Sequence, residues 1–225
     1  MRICTKGHHF PREVILVTVR WYLSYGLSYR ELEEMQKERG YSVDHSTISR
    51  WVQKFGPQME KAIRKQRRKP GLSWRVDETY VKVKGETSYL YRAVDSEGNT
   101  VDYLLTRKRD SRAAKRFFKK ALKSSGKPEK ITVDGNKANI KAANYIKEKN
   151  GKDIKVRNTK YLNNIVEQDH RGIKRLTKHR QNFRSFNSAR RTLGGMEAMR
   201  MLYKKQFSGD YQDRIDFFQK VILAV

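Results

Sequence analysis

Apolar residues between positions 11 and 59 recur every three to four residues, the spacing of amphipathic helices, and turn residues interrupt them twice. Val14, Ile15, Val17, Val19, Trp21, Tyr22 and Leu23 define a first helix. Pro11 suits its first turn, and it ends near Tyr25-Gly26. Ser28 and Glu31 fit a capping box, opening a second helix with Leu32 and Met35 on one face and Gly40 at its close. In DHSTISRWVQKF, Asp44 or Ser46 is the expected cap. Ile48, Trp51, Val52 and Phe55 form the inward stripe, and Thr47, Ser49, Arg50 and Gln53 face outward. Three short helices with tight turns, the last polar and basic outward, make a helix-turn-helix pattern. The plainer alternative is a three-helix bundle that only packs. If the third helix reads DNA, Ser46, Thr47, Ser49 and Arg50 are its readers, because such side chains reach bases or phosphates.

The basic run EKAIRKQRRKPGLS ends in Pro70-Gly71 and reads as a helix end and linker. From Trp74 the period changes. WRVDETYVKV, TSYLYRAVDSEG and NTVDYLLTR read as three consecutive strands, with turns at Lys84-Gly85-Glu86 and Ser96-Glu97-Gly98. SRAAKRFFKKALKSSG is an amphipathic helix with Ala114, Phe117, Phe118, Ala121 and Leu122 inward and Gly126 as its stop. A short strand, KITV, breaks at Asp134-Gly135; a helix over 138–149, the strand IKVR and the helix NNIVEQDHRGIKRLTKH follow. This order predicts an α/β fold, a mixed sheet with helices on its faces. A later helix over 189–205 spaces Leu193, Met196, Met199 and Leu202 as core or dimer surface, and the tail DYQDRIDFFQKVILAV is amphipathic to apolar.

Charge narrows the partner. The 225 residues carry 51 Lys and Arg against 24 Asp and Glu, a net charge of +27, with 37% hydrophobic and 11% aromatic residues to build a core despite a mean hydropathy of −0.89. Such a chain points to a polyanion, with nucleic acid ahead of an anionic membrane surface. No apolar run is long enough for a membrane span, the start MRICTKGHHF lacks the apolar stretch of a signal peptide, and the lone Cys4 suits a reducing compartment. The expectation is a cytoplasmic, nucleoid-associated protein. Its basic residues are spread along the chain, so binding should weaken steeply with salt.

Against that charge, acids inside apolar elements stand out. Asp77 lies mid-strand, where an unpaired acid is unfavourable. Asp134 follows an apolar strand, at the carboxyl end where α/β sheets place their sites. Glu167 sits among Ile165, Val166 and Ile173. Oxygen donors without a Cys/His cluster suit Mg2+ or Mn2+. Taken singly, each has a plain role: Asp77 paired with a basic neighbour, Asp134 in a turn, Glu167 bridging Arg171 on a helix surface. Spacing alone leaves Glu78, Asp95, Asp102, Asp153 and Asp169 open as well. His8, His9, His45 and His179 have no ligand spacing with Cys4, and Tyr161, Phe183 and Phe186 suit either core packing or base stacking.

WRVDETYVKVKG, SYLYRAVDSEG, ITVDG and KYLNNIVEQDHRGIKR together resemble the DDE transposases of small bacterial and archaeal insertion sequences, the insertion-sequence-six family. SYGLSYRELEEM, VDHSTISRWVQKF and LGGMEAMRMLYK agree with its helix-turn-helix and C-terminal helix, so the resemblance spans roughly residues 8–206. It implies a ribonuclease H-like core of retroviral-integrase type. Asp77, Asp134 and Glu167 become the catalytic, metal-binding triad, with two Mg2+ or Mn2+ ions. Lys174, two helical turns beyond Glu167, is the DNA-positioning residue, and His170 a supporting one. The implied domains are a helix-turn-helix at 1–59, a basic linker at 60–73, the catalytic core at 74–180, and C-terminal helices at 181–225 completing the core or a dimer surface. The implied activity is metal-dependent hydrolysis at the element's terminal inverted repeats, then strand transfer into target double-stranded DNA, by a homodimer or higher oligomer.

Two features depart from the family pattern. The Asp134–Glu167 interval is slightly short, which trims the loop around Asn150-Gly151 or, on a register shift, makes Asp169 the third acid. Position 135 is Gly, where many relatives carry a side chain. Alternatives are a ribonuclease H-like nuclease or resolvase, which cleaves without joining, and a helix-turn-helix regulator without catalysis. A tyrosine or serine recombinase has no support beyond generic Tyr and Ser.

Overall fold

The computed structural model describes residues 3–151, 153–159, 161–178 and 183–224. They form two compact units, one of Met1–Arg68 with Ile173–Val225 and one of Lys69–Gly172.

In the first unit, α1 (Arg12–Ser24), α2 (Tyr29–Glu38) and α3 (His45–Lys65) occupy the expected stretches. Pro11 stands at the N-cap of α1 instead of inside its first turn. The Ser28–Glu31 capping box forms, and Asp44 caps α3 by accepting from Ser46 N at 2.8 Å. The buried residues of α2 are Leu32 and Gln36, whereas Met35 is half-buried. Gln36 goes inside because its amide donates to Thr18 Oγ1 at 2.8 Å, and Thr18 donates in turn to Val14 O at 2.6 Å. The amide nitrogen thereby escapes the desolvation penalty, whereas Oε1 is buried without a hydrogen-bond partner among the described residues.

The third helix is longer than its stripe to Phe55 suggests, running through Pro57 to Lys65. Met59, Ala62 and Ile63 extend the buried stripe, and that burial offsets the backbone hydrogen bond that Pro57 cannot donate. After a capping box at Ser185 and Ser188, α7 (Phe186–Tyr203) packs on α3 and α1, burying Leu193, Met196, Met199 and Leu202. Gln53 Nε2 donates to Thr192 Oγ1 at 2.9 Å across the α3–α7 contact. The tail, α8 (Arg214–Phe217) and a π-helical turn at Phe218–Leu223, buries Phe217, Phe218 and Ile222, and the π turn contacts α1 and α3.

The second unit holds the five-stranded sheet, in the order β3-β2-β1-β4-β5. The strands are β1 (Ser73–Val83), β2 (Glu86–Val94), β3 (Thr100–Thr106), β4 (Lys130–Val133) and β5 (Lys155–Asn158). The first three are antiparallel neighbours, and β4 and β5 run parallel to β1, which makes the sheet mixed as expected. Lys84 and Gly85, at φ of 52° and 80°, form the two-residue hairpin between β1 and β2; two positive φ values match the strand twist. The helices α4 (Ser111–Ser125) and α5 (Lys137–Asn150) cover one face, and Phe117, Phe118, Ala142 and Ile146 pack with Trp74, Val76, Tyr91 and Val133. α6 (Asn164–Lys178) starts in this unit and continues into the first. Its residues Asp169 and His170 meet the opposite face of the sheet through Arg92 and Asp77.

Candidate active site

Side chains alternate along β1, so Trp74, Val76 and Glu78 share the α4–α5 face while Asp77 takes the other. Asp77 stands opposite Arg92 on β2 and is largely buried. Arg92, 1% exposed, donates to Asp169 Oδ2 at 2.6 Å and to His170 Nδ1 at 3.3 Å. With Nδ1 accepting, the imidazole proton sits on Nε2, which donates to Asp77 Oδ2 at 3.1 Å. A carboxylate inside a strand is thus tolerated because a buried cation aims a histidine at it.

Val76 pairs with Val133 in the parallel β1–β4 ladder, so Asp77 and Asp134 each follow one of two register partners. Strand neighbours lie about 5 Å apart, which places the two acids side by side at the end of β4. Asn136 caps α5, its Oδ1 accepting from Ala138 N at 2.9 Å while its amide donates to Glu78 Oε1 at 2.8 Å. One turn on, Asn139 Nδ2 donates to Glu78 Oε2 at 2.7 Å and to Asp134 Oδ1 at 3.3 Å. Glu78 is 2% exposed and also receives Arg109 Nε.

Glu167, exposed in the first turn of α6, meets Asp134 at a cleft of about 630 Å3 lined further by Arg109, Gly135, Asn136 and Lys137. Asp77 is not among the lining residues. Burial works against the charge on Arg109, but the charge and hydrogen bond of Glu78, with the charge of Asp134, outweigh it and raise its pKa. Burial, then the charge of Glu78, pushes the Tyr91 phenol well up. Among the described residues, the set of three metal-ligand types with donor atoms within 4.8 Å of one another is Glu33, Asp44 and His45, in the first unit, and not the three acids singled out here.

The other acids have partners. Asp95 Oδ1 accepts from Glu97 N and Asn99 N, both at 2.9 Å, and Oδ2 accepts from Gly71 N at 2.7 Å. Asp102 is buried against Lys120 Nζ at 2.6 Å and Ser124 Oγ at 2.7 Å, and Asp153 pairs with Lys127 at 2.7 Å. Asp169 is held by Arg92 while Glu167 opens on the cleft. A side chain at Gly135 would meet Asn158 Oδ1 at 3.8 Å, ordinary contact.

On α3, Ser46 and Arg50 are exposed and Thr47 and Ser49 half-buried. Arg50 donates to Thr47 Oγ1 at 3.0 Å, and with Ser49, Gln53, Lys54, Pro57 and Arg191 it lines a cleft of about 470 Å3. The exposed Lys174 lies on α6. Phe183 is buried, Phe186 half-buried and Tyr161 exposed; His179 lies outside the described residues. Sequence reasoning missed Arg92, Arg109, Asn136 and Asn139. The two asparagines carried a signal, since their spacing puts both on one face of the turn after Asp134.

A DDE-domain family model matches residues 71–206. The transposase for insertion sequence-like element IS431mec of Staphylococcus aureus strain Mu50 is 44% identical over 197 residues, 87% of each chain. That for IS257 in transposon Tn4003 of Staphylococcus aureus is 43% identical over the same shares. The HTLV-2 integrase catalytic core domain gives a TM-score of 0.45 at 21% identity, covering 57% of this chain and 84% of that one. The relatives favour neither the nuclease nor the regulator alternative, and the chain belongs to the DDE transposases of the insertion-sequence-six family, polynucleotidyl transferases that act on DNA.

Proposed function

We propose that Asp77, Asp134 and Glu167 are the catalytic, metal-binding carboxylates of this transposase. The observation carrying this reading is that Asp134 and Glu167 open on one cleft, with Asp77 adjacent to Asp134 in register. The donors fit Mg2+ or Mn2+, which accept oxygen ligands; Mg2+ needs only one or two carboxylates and keeps several waters, so no closed protein cage is required. When bound, a pair of such ions activates the attacking oxygen and stabilises the leaving one. Asp134 and Glu167 would hold the cations in the cleft and Asp77 would complete the set, oriented by the Nε2–H of His170.

The chain's own contribution is positioning and charge, with no covalent intermediate on the protein. Water attacks the phosphorus at an element end, the P–O bond to the 3′ oxygen breaks, and that oxygen leaves as a 3′-hydroxyl. The 3′-hydroxyl then attacks a target phosphodiester, forming one P–O bond as another breaks. Ser46, Thr47, Ser49 and Arg50 read the terminal repeat, Lys174 positions the DNA beyond Glu167, and the spread of basic residues holds the backbone. Joining two ends to one target requires a homodimer or larger assembly, because each chain supplies one triad. No helix among the described residues is long and apolar enough to cross a membrane, and the place of action is the nucleoid.

Incubating the protein with DNA carrying the element's ends, in Mg2+ or in EDTA, tests the reading. Asp77→Asn, Asp134→Asn and Glu167→Gln should abolish cleavage and joining while end binding persists. Cleavage by any of the three, or undiminished in EDTA, overturns it.

A further inference from the structure

Glu78 occupies the α4–α5 face of β1, yet it is tied to the cleft. Its two oxygens already receive the amides of Asn136 at 2.8 Å and Asn139 at 2.7 Å, so each has a hydrogen-bond donor without the arginine. Arg109 nevertheless adds its Nε to Glu78 Oε1 from the segment between β3 and α4, with a side chain 46% exposed. Through Nε alone, Glu78 fixes the plane of the guanidinium. The two terminal nitrogens have no hydrogen bond to the protein among the described residues, and Arg109 lines the cleft together with Asp134, Glu167 and Lys137. Only the arginine side of this pair reaches solvent, so the guanidinium is free to serve the cleft as well as to neutralise Glu78. A planar fork held at one edge and open at the other matches a phosphate.

We infer that Arg109 is a phosphate-binding residue of the cleft, aimed by Glu78, and that its open edge takes a DNA phosphate beside Asp134 and Glu167. This rests on the catalytic reading of that cleft. Arg109 touches substrate in this role; Glu78 is a positioning residue that also braces Asp134 through Asn139, which bonds Asp134 Oδ1 at 3.3 Å.

The test pairs single-turnover joining of pre-cut end DNA with end binding measured across a salt series, on the full chain. Arg109→Ala should slow joining roughly 100-fold, as loss of one transition-state donor does. It should also reduce the slope of log affinity against log salt by about one, the signature of one lost phosphate contact, at temperatures well below the variant's own thermal midpoint. Arg109→Lys should restore the slope but not the rate, because an ammonium supplies charge without the fork. Glu78→Gln sets an amide N–H against the amide of Asn136 or Asn139; it should slow joining and keep the slope. Joining by Arg109→Ala or Arg109→Lys at the wild-type rate overturns the inference. So does an unchanged salt slope in Arg109→Ala, or a loss of rate that merely follows a lowered midpoint. Asp134→Asn separates the two readings. If it still joins, the catalytic reading of the cleft fails; if it is inactive while Arg109→Ala joins normally, only the present inference fails.

Discussion

His170 donates through Nε2 to Asp77 Oδ2 at 3.1 Å, and its other ring nitrogen accepts from the buried guanidinium of Arg92. A histidine held at both nitrogens has one tautomer and one orientation, so it presents a fixed donor to the acid. Removing such an outer partner of a metal ligand commonly costs 10- to 100-fold in metal affinity or activity. His170→Ala should therefore lower joining by about that factor, and more Mg2+ should recover part of it. The check is the joining rate across a Mg2+ titration, with end binding unchanged.

Arg92 and Asp169 form an ion pair of 2.6 Å with 1% and 8% side-chain exposure. Deleting one member leaves a buried charge without its counterion, which costs about 3–5 kcal/mol. Asp169→Ala should lower the free energy of unfolding by that amount, read from a urea denaturation series. Replacing both members with apolar residues of similar volume should cost far less. A mild Asp169→Ala effect would show that the pair is not carrying the contact between α6 and the sheet.

Gly195 in α7 is pressed against α1: a Cβ there would come within 2.6 Å and 2.8 Å of the Leu23 methyls. Leu23 is fully buried and has little room to turn. Gly195→Ala should destabilise by about 1–3 kcal/mol, the usual cost of overpacking, despite the better helix propensity of alanine. Combining it with Leu23→Val should recover part of the loss, and a denaturation series on the double-mutant cycle would report the coupling.

Arg50 is exposed, yet Thr47 Oγ1 steadies it at 3.0 Å. If it reads a base of the terminal repeat, Arg50→Ala should weaken binding to cognate ends by about 1–3 kcal/mol and leave binding to unrelated DNA nearly unchanged. Thr47→Val, which removes the acceptor, should produce a smaller loss in the same direction. Equal losses on both DNAs would make Arg50 a backbone contact instead.

Much of this molecule was legible in one dimension. The Ser28–Glu31 capping box, the Asp44 cap, the Lys84-Gly85 hairpin and the Gly126 stop all formed, because each depends on neighbours a few residues away. The strand and helix order was equally readable, since period two and period 3.6 are properties of consecutive side chains. Placing Glu78 on the face opposite Asp77 followed from the same alternation. Its connection to Asp134 did not, because the asparagines that make it enter from α5 and the arginine from the segment before α4.

Choosing among the acids was beyond local pattern. Asp77, Asp95, Asp102 and Asp169 all sit in or beside strands and helices with apolar neighbours, and their environments differ only through partners distant in sequence: His170, Gly71, Lys120 and Arg92. Family resemblance supplied a selection that spacing could not. By itself, the sequence determined the caps, the turns, the alternation of faces and the excess of positive charge, all of which are local or additive. Only the tertiary structure decided that Asp134 and Glu167 share a cleft, that Asp169 is consumed by Arg92, and that α7 lies on α3 and α1. Those outcomes depend on through-space contacts closed by the whole fold, and no window of consecutive residues contains both partners.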